Sequence, residues 1–220
     1  ESKLKETTFA RVDADSIDSL IQKENRDKPE LQEHEEQDLT YAIEAIMPKN
    51  AHYNVQVENL GVNSAPILIT QSEFMRRYRE MSSLNGGSNF YGEMPDSYTV
   101  TMHYESPLIK KIMENKANVT DKVLKELDAE LLNVKDALKN LNDKNKDKKE
   151  EEIPVEERDK KSDLLKKEEE IAGQRKETMA KFANDDELLK QMTDLALLSN
   201  NMLKGKELHT FIMRSFTLLK

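Results

Sequence analysis

The sequence predicts an α+β fold: a small antiparallel three-stranded sheet with helices, then a long charged helical hairpin, then a pair of strongly apolar helices. Three observations carry that prediction. Short stretches with period-two alternation fall between residues 53 and 104. A leucine repeat at alternating spacings of three and four runs through a charge-rich segment from Leu124 to Leu141. Residues 185–220 carry apolar side chains on more than one helical face, a pattern that requires burial on several sides.

Residues 1–28 read as a short strand, Thr8-Phe9-Ala10-Arg11-Val12, and then a helix capped by Asp13 or Asp15 that carries Ile17, Leu20 and Ile21. The polar stretch from Lys23 to Glu36, with Pro29 inside it, reads as a linker. A helix from Glu35 to Met47 places Leu39, Ala42, Ile43 and Ile46 on one side and stops at Pro48. Tyr53, Val55 and Val57 alternate with polar residues as a half-buried strand does. Turn residues Gly61 to Ser64 lead into Ile67-Leu68-Ile69, so the two strands read as a hairpin.

Ser72 is placed to cap a helix whose Phe74, Met75, Tyr78, Met81 and Leu84 cover about half its circumference before Gly86-Gly87 ends it. A loop follows, and then a third strand in which Tyr98, Val100, Met102 and Tyr104 alternate with Thr99, Thr101 and His103. Ser106-Pro107 opens a helix bearing Leu108, Ile109, Ile112 and Met113, with proline in the first turn.

Residues 116–184 change character. Leu124, Leu127, Leu131, Val134, Leu138 and Leu141 form a seam; Lys144 to Glu152 is almost wholly charged; Pro154 restarts the chain. Leu164, Leu165, Ile171, Met179 and Phe182 then make a weaker return stripe. So sparse a stripe suits one partner helix, and the segment reads as an antiparallel helical hairpin. Beyond it, Asp185 or Asp186 caps a helix bearing Leu188, Leu189, Met192, Leu195, Leu197, Leu198 and Met202, and Gly205 precedes a last helix with Leu208, Phe211, Ile212, Met213, Phe216, Leu218 and Leu219.

The 220 residues carry a formal charge of -9, with 36% hydrophobic and 35% charged residues. An acidic chain disfavours a nucleic-acid partner, because phosphate backbones attract basic surfaces. No apolar run approaches the roughly 20 residues that cross a bilayer, so no membrane partner is expected. The absence of cysteine removes disulfides and thiolate chemistry and suits a cytoplasmic location. A start at Glu1 rather than Met is the expectation for part of a longer protein.

Sites for catalysis are not evident. His34, His52, His103 and His209 are scattered, and Glu33-His34-Glu35-Glu36 reads as solvated linker rather than a metal site. Gly205-Lys206 lacks the rest of a phosphate loop, and no nucleophile sits beside a base. The expectation is a non-catalytic chain holding neither cofactor nor metal.

The terminal helices have more apolar surface than one subunit hides. A second copy offering Leu188, Met192, Leu195, Leu198, Met202, Leu208, Phe211, Ile212, Phe216 and Leu219 would close a dimeric four-helix bundle. Burying about 800 Å² per subunit at about 25 cal/mol per Å² gives a gross term near 20 kcal/mol. Association entropy of about 4–15 kcal/mol opposes it and leaves a homodimer favoured. The competing reading is that the pair caps its own domain's core.

Three stretches resemble the ninety-kilodalton heat-shock chaperones, in particular their bacterial members. Phe9 to Asp15, followed by Ile17, Leu20 and Ile21, is similar to the end of that family's middle domain. Ile67 to Arg77 is similar to its C-terminal sheet running into an amphipathic helix. Leu195 to Met202, then Gly205, Leu208, Phe211, Arg214 and Leu218-Leu219, is similar to its dimerisation helices.

The resemblance implies a four-part layout: residues 1–34 as the end of the middle domain with a linker, 35–115 as the α+β part, 116–184 as a charged hairpin insertion, and 185–220 as dimerisation helices. It implies a stress-response chaperone whose ATP and magnesium are bound in an N-terminal domain that this chain lacks. Unfolded clients are expected on Phe74, Met75, Tyr78 and Met81, for which ordinary core packing is the plain alternative. Two departures stand out: there is no acidic tail motif at Lys220, and the hairpin is longer than the family's usual connection. A structural adaptor that binds a partner through the coiled-coil hairpin is the reading from a different class.

Overall fold

Side-chain caps start two of the helices where the sequence places them. The computed structural model describes residues 31, 33–61, 64–84, 95–146 and 153–218. Among these, the elements are α1 (Glu33–Ile46), β1 (His52–Glu58), β2 (Ile67–Thr70), α2 (Glu73–Leu84), β3 (Ser97–His103), α3 (Pro107–Lys144), α4 (Val155–Asp185), α5 (Glu187–Ser199) and α6 (Gly205–Leu218). The strand and helix expected within residues 1–28 lie outside the described residues, as does Leu219.

The Ser72 hydroxyl accepts from the Met75 backbone N–H at 3.2 Å, and the Asp186 carboxylate accepts from the Leu189 N–H at 2.7 Å. Each satisfies one of the orphan donors of a helix N-terminus. At the far end of α5 the Met202 N–H donates to the Leu197 carbonyl and the Asn201 N–H to that of Leu198. Asn201 takes φ 56°, the left-handed position on which this helix stop depends and which asparagine tolerates. One end differs from expectation. The helix α1 begins at Glu33, so Glu33-His34-Glu35-Glu36 forms its first turn rather than solvated linker.

The sheet departs further. Its order is β1-β3-β2; β2 pairs antiparallel with β3, but β1 pairs parallel with it, Tyr53 opposite Tyr98 and Val57 opposite Met102. The sheet is therefore mixed rather than antiparallel, and β1 and β2 form no hairpin. β3 lies between them and is covered on both faces: Val100, Thr101, Met102 and His103 are all buried in succession. Residues that look polar-outward by alternation, Thr101 and His103, thus face protein. His103 Nδ1 accepts from the Leu60 N–H at 3.2 Å and fastens the loop after β1.

The helix α3 is a single helix of 38 residues, so the hairpin's first arm grows without a break out of the helix that follows β3. The second arm, α4, returns antiparallel: Lys144 pairs with Glu157, Asp128 with Arg175, and Asn115 with Asp186. One core runs through the chain. It takes Leu39, Ala42 and Ile43 from α1, Ile69, Val100 and Met102 from the sheet, and Ile109 and Ile112 from α3. Leu124 and Leu127 from α3, Ile171, Met179 and Phe182 from α4, and Leu189 and Leu197 from α5 continue it. The lower half of the charged hairpin is therefore core-forming, and only its outer faces are solvated.

Candidate interaction surfaces

Two exposed apolar surfaces arise from this arrangement, one on α2 and one on the last helix pair. On α2 the predicted stripe divides. Met75 points inward at 8% exposure, whereas Phe74, seven residues before Met81 and thus two turns away on the same side, is 68% exposed. Met81 is exposed and Tyr78 half-buried. Arg77 lies exposed along the same side, so the outward face mixes two large apolar groups with a cation. The inward turn of Met75 follows from β2 leading straight into the helix, whose first turn the Ser72 hydroxyl ties down.

On the helix pair the ten residues predicted for self-association fall into three groups. Leu188, Met192, Leu198, Met202, Leu208 and Phe211 are half-buried against their own core. Leu195, Ile212 and Phe216 are exposed, Phe216 at 60%. Leu219 lies outside the described residues. Met213, at 54% exposure, belongs with the exposed group although the sequence reading did not select it; its neighbours Ile212 and Phe216 were the available signal.

The contact between α5 and α6 includes several polar pairs beside the half-buried Leu208 and Phe211. Arg214 Nη1 donates to Asp194 at 2.7 Å, its Nε lies 2.9 Å from Glu187, and Gln191 Nε2 donates to the Ser215 hydroxyl at 2.6 Å. The hydrogen bond from Lys190, together with Arg214, holds the Glu187 carboxyl below its ordinary value against the opposing effect of burial. An open cavity of about 370 Å³ with a mixed lining, Ile46, Pro48, Leu203, Lys206 and Arg214 among others, lies between the last helix and the end of α1. The helix α6 thus meets the rest of the chain through Leu208, Phe211 and the Arg214 ion pairs, and turns Ile212, Met213 and Phe216 to solvent.

A third constellation was not read from the sequence. At the hairpin base the fully buried Asp38 carboxylate accepts from Arg175 Nε at 2.6 Å and Nη2 at 3.1 Å, and from Lys116 Nζ at 2.7 Å. Arg175 Nη1 also donates to Asp128. Burial works against the Arg175 charge, yet the hydrogen bonds and charges of Asp38 and then Asp128 outweigh it and raise the guanidinium pKa. Two anions and two cations from α1, α3 and α4 make a neutral cluster, with every charge opposed by another, as buried ions require.

Comparison with known proteins finds similar bacterial chaperones. The chain is 38% identical to chaperone protein HtpG of Bacteroides thetaiotaomicron, 41% to that of Porphyromonas gingivalis and 37% to that of Bacteroides fragilis. Each match covers 100% of this chain and 32% of the relative. The chain is similar over all its residues to these bacterial HtpG chaperones. It spans about a third of the length of the HtpG relatives it matches. No family model matches the sequence, and no solved structure matches it. Among the described residues no helix is long and apolar enough to cross a membrane, and no group of three or more acidic or histidine side chains is placed to hold a metal ion.

Proposed function

We propose that this chain is the homodimerisation and client-contacting module of an ATP-dependent chaperone of the HtpG type. On this reading it has no catalytic centre of its own. ATP and magnesium are bound elsewhere in the protein, and the setting is the cytoplasm. The full-length similarity to proteins named as chaperones supports the class. One observation carries the finer reading: Leu195, Ile212, Met213 and Phe216 are exposed on the last helix pair, although Leu208 and Phe211 of α6 already face the chain's own core. Large apolar groups gathered on an outward face gain burial only from another molecule, and a second copy supplies the same face by twofold symmetry.

The division of labour then follows the fold. Residues 1–34 close a preceding domain and link it to this one, 35–115 carry the sheet and α2, 116–184 form the hairpin, and 185–220 dimerise. The outward face of α2, with Phe74, Tyr78 and Met81, offers apolar contact to unfolded chains, and Met75 supports it from beneath. Sedimentation equilibrium of a Leu195→Glu, Phe216→Glu variant tests the dimer. Loss of association with the helical circular-dichroism signal intact is the expected outcome. Undiminished association would refute the assignment of this face. For the client surface, Phe74→Glu with Met81→Glu should reduce suppression of aggregation of an unfolded model protein without altering molar mass.

A further inference from the structure

We infer that the buried Asp38, Lys116 and Arg175, with the partly exposed Asp128 at their edge, form a register lock that fixes the charged hairpin to α1 as one rigid arm. The positions of its members carry the inference. Arg175 stands midway between Ile171 and Met179, four residues from each, in the apolar stripe by which α4 meets its neighbours. Lys116 begins the series Lys116, Thr120, Leu124 and Leu127, all buried, on α3. Asp38 is fully buried beside Leu39 on α1. Three seam positions that apolar side chains would fill are thus given to charges.

A leucine-type seam alone defines register weakly, because sliding one helix by a turn brings similar side chains back into contact. A charge at a seam position has no substitute partner one turn away, and its displacement leaves an unpaired buried ion. Burying ions seldom adds stability over apolar residues of similar volume, and their best-attested use is to specify one alignment. The geometry here suits that use. The Arg175 fork meets Asp38 through two nitrogens, which fixes the guanidinium plane as well as its position. Lys116 closes on the same carboxylate from the other arm. At the far end Lys144 and Asn145 both meet Glu157, with Asn145 Nδ2 at 2.8 Å, so the arms are tied to each other as well as to α1.

The chain has no cysteine, so spin labels can be placed at will. Labels at Gln56→Cys on the exposed side of β1 and Asp143→Cys near the hairpin end report the angle and position of the arm by pulsed electron–electron distance measurement. With labelled chains diluted into an excess of unlabelled chain, so that distances between subunits do not contribute, the parent should show one narrow distribution. In the apolar variant Asp38→Leu, Lys116→Met, Arg175→Met, cooperative unfolding should persist with its midpoint unchanged or raised, while a second population appears. A slip by one helical turn is about 5.4 Å along the axis. Arg175→Lys, which keeps the charge and removes the fork, should broaden the distribution in the same sense. A single narrow distribution in Arg175→Lys would overturn the inference. Failure of the apolar variant to fold would also overturn it, since the cluster would then carry stability and not alignment.

Discussion

Replacing Asp38 by asparagine keeps the side-chain shape and removes the anion on which two cations converge. In the folded chain Lys116 Nζ lies 2.7 Å and Arg175 Nε 2.6 Å from the Asp38 carboxylate, with the Lys116 side chain 11% and that of Arg175 4% exposed. Asp128 still faces Arg175 after the change, so Lys116 is the group left uncompensated. Breaking a buried pair on one side destabilises by about 3–5 kcal/mol. The retained amide oxygen still accepts one bond, which places the expectation for Asp38→Asn near the lower end, about 3 kcal/mol. For a chain of this length each kcal/mol moves the midpoint by about 2–4 °C, so Tm should fall by roughly 6–12 °C. Urea unfolding followed by circular dichroism reads the same loss as a lower midpoint with unchanged slope. A loss under about 1 kcal/mol would refute the reasoning, because the carboxylate would then not be neutralising a buried charge.

Three further outcomes are expected. Met75→Glu should destabilise by about 2–4 kcal/mol because it inserts a charge on the inward side of α2, whereas Phe74→Glu should stay within about 0.5 kcal/mol of the parent in the same denaturation assay. Asp186→Ala removes the acceptor of the Leu189 N–H and should lower stability by about 1 kcal/mol, read as earlier hydrogen exchange in the first turn of α5. Glu187 is held below its ordinary value by Lys190 and Arg214, so its support for the contact between α5 and α6 is complete above that value, about 4.5, and disappears as pH falls through the lower folded one. Hydrogen exchange of the last helix should therefore accelerate only below that point, and Glu187→Gln should flatten the dependence; the exposure of the group keeps the effect small.

Much of this architecture is written in local patterns. Helix ends follow from Ser72, Pro107, Pro154, Asp186 and Asn201, each of which acts within a turn of itself. The leucine seam and its weaker return stripe are enough to indicate two long antiparallel helices. Strand order is not local. Tyr53, Val55 and Val57 alternate equally well beside β2 or beside β3, and what decides is burial of both faces of β3, visible only once Thr101 and His103 have neighbours. The same limit applies to α2, where Phe74 and Met75 are adjacent in an apolar stripe and only packing tells which turns inward. Arg175 was legible in principle, since a cation at spacing four between Ile171 and Met179 interrupts an apolar stripe. Its partners, 137 and 47 residues away in sequence, were not.

The molar mass of the 220-residue chain, measured by sedimentation equilibrium across the micromolar range, bears most directly on the central claim that the outward face of the last two helices is completed by a second copy. The account predicts twice the monomer mass at concentrations of a few micromolar, with protection from hydrogen exchange at Ile212, Met213 and Phe216. A monomer at high micromolar concentration, with the last two helices folded, would contradict it.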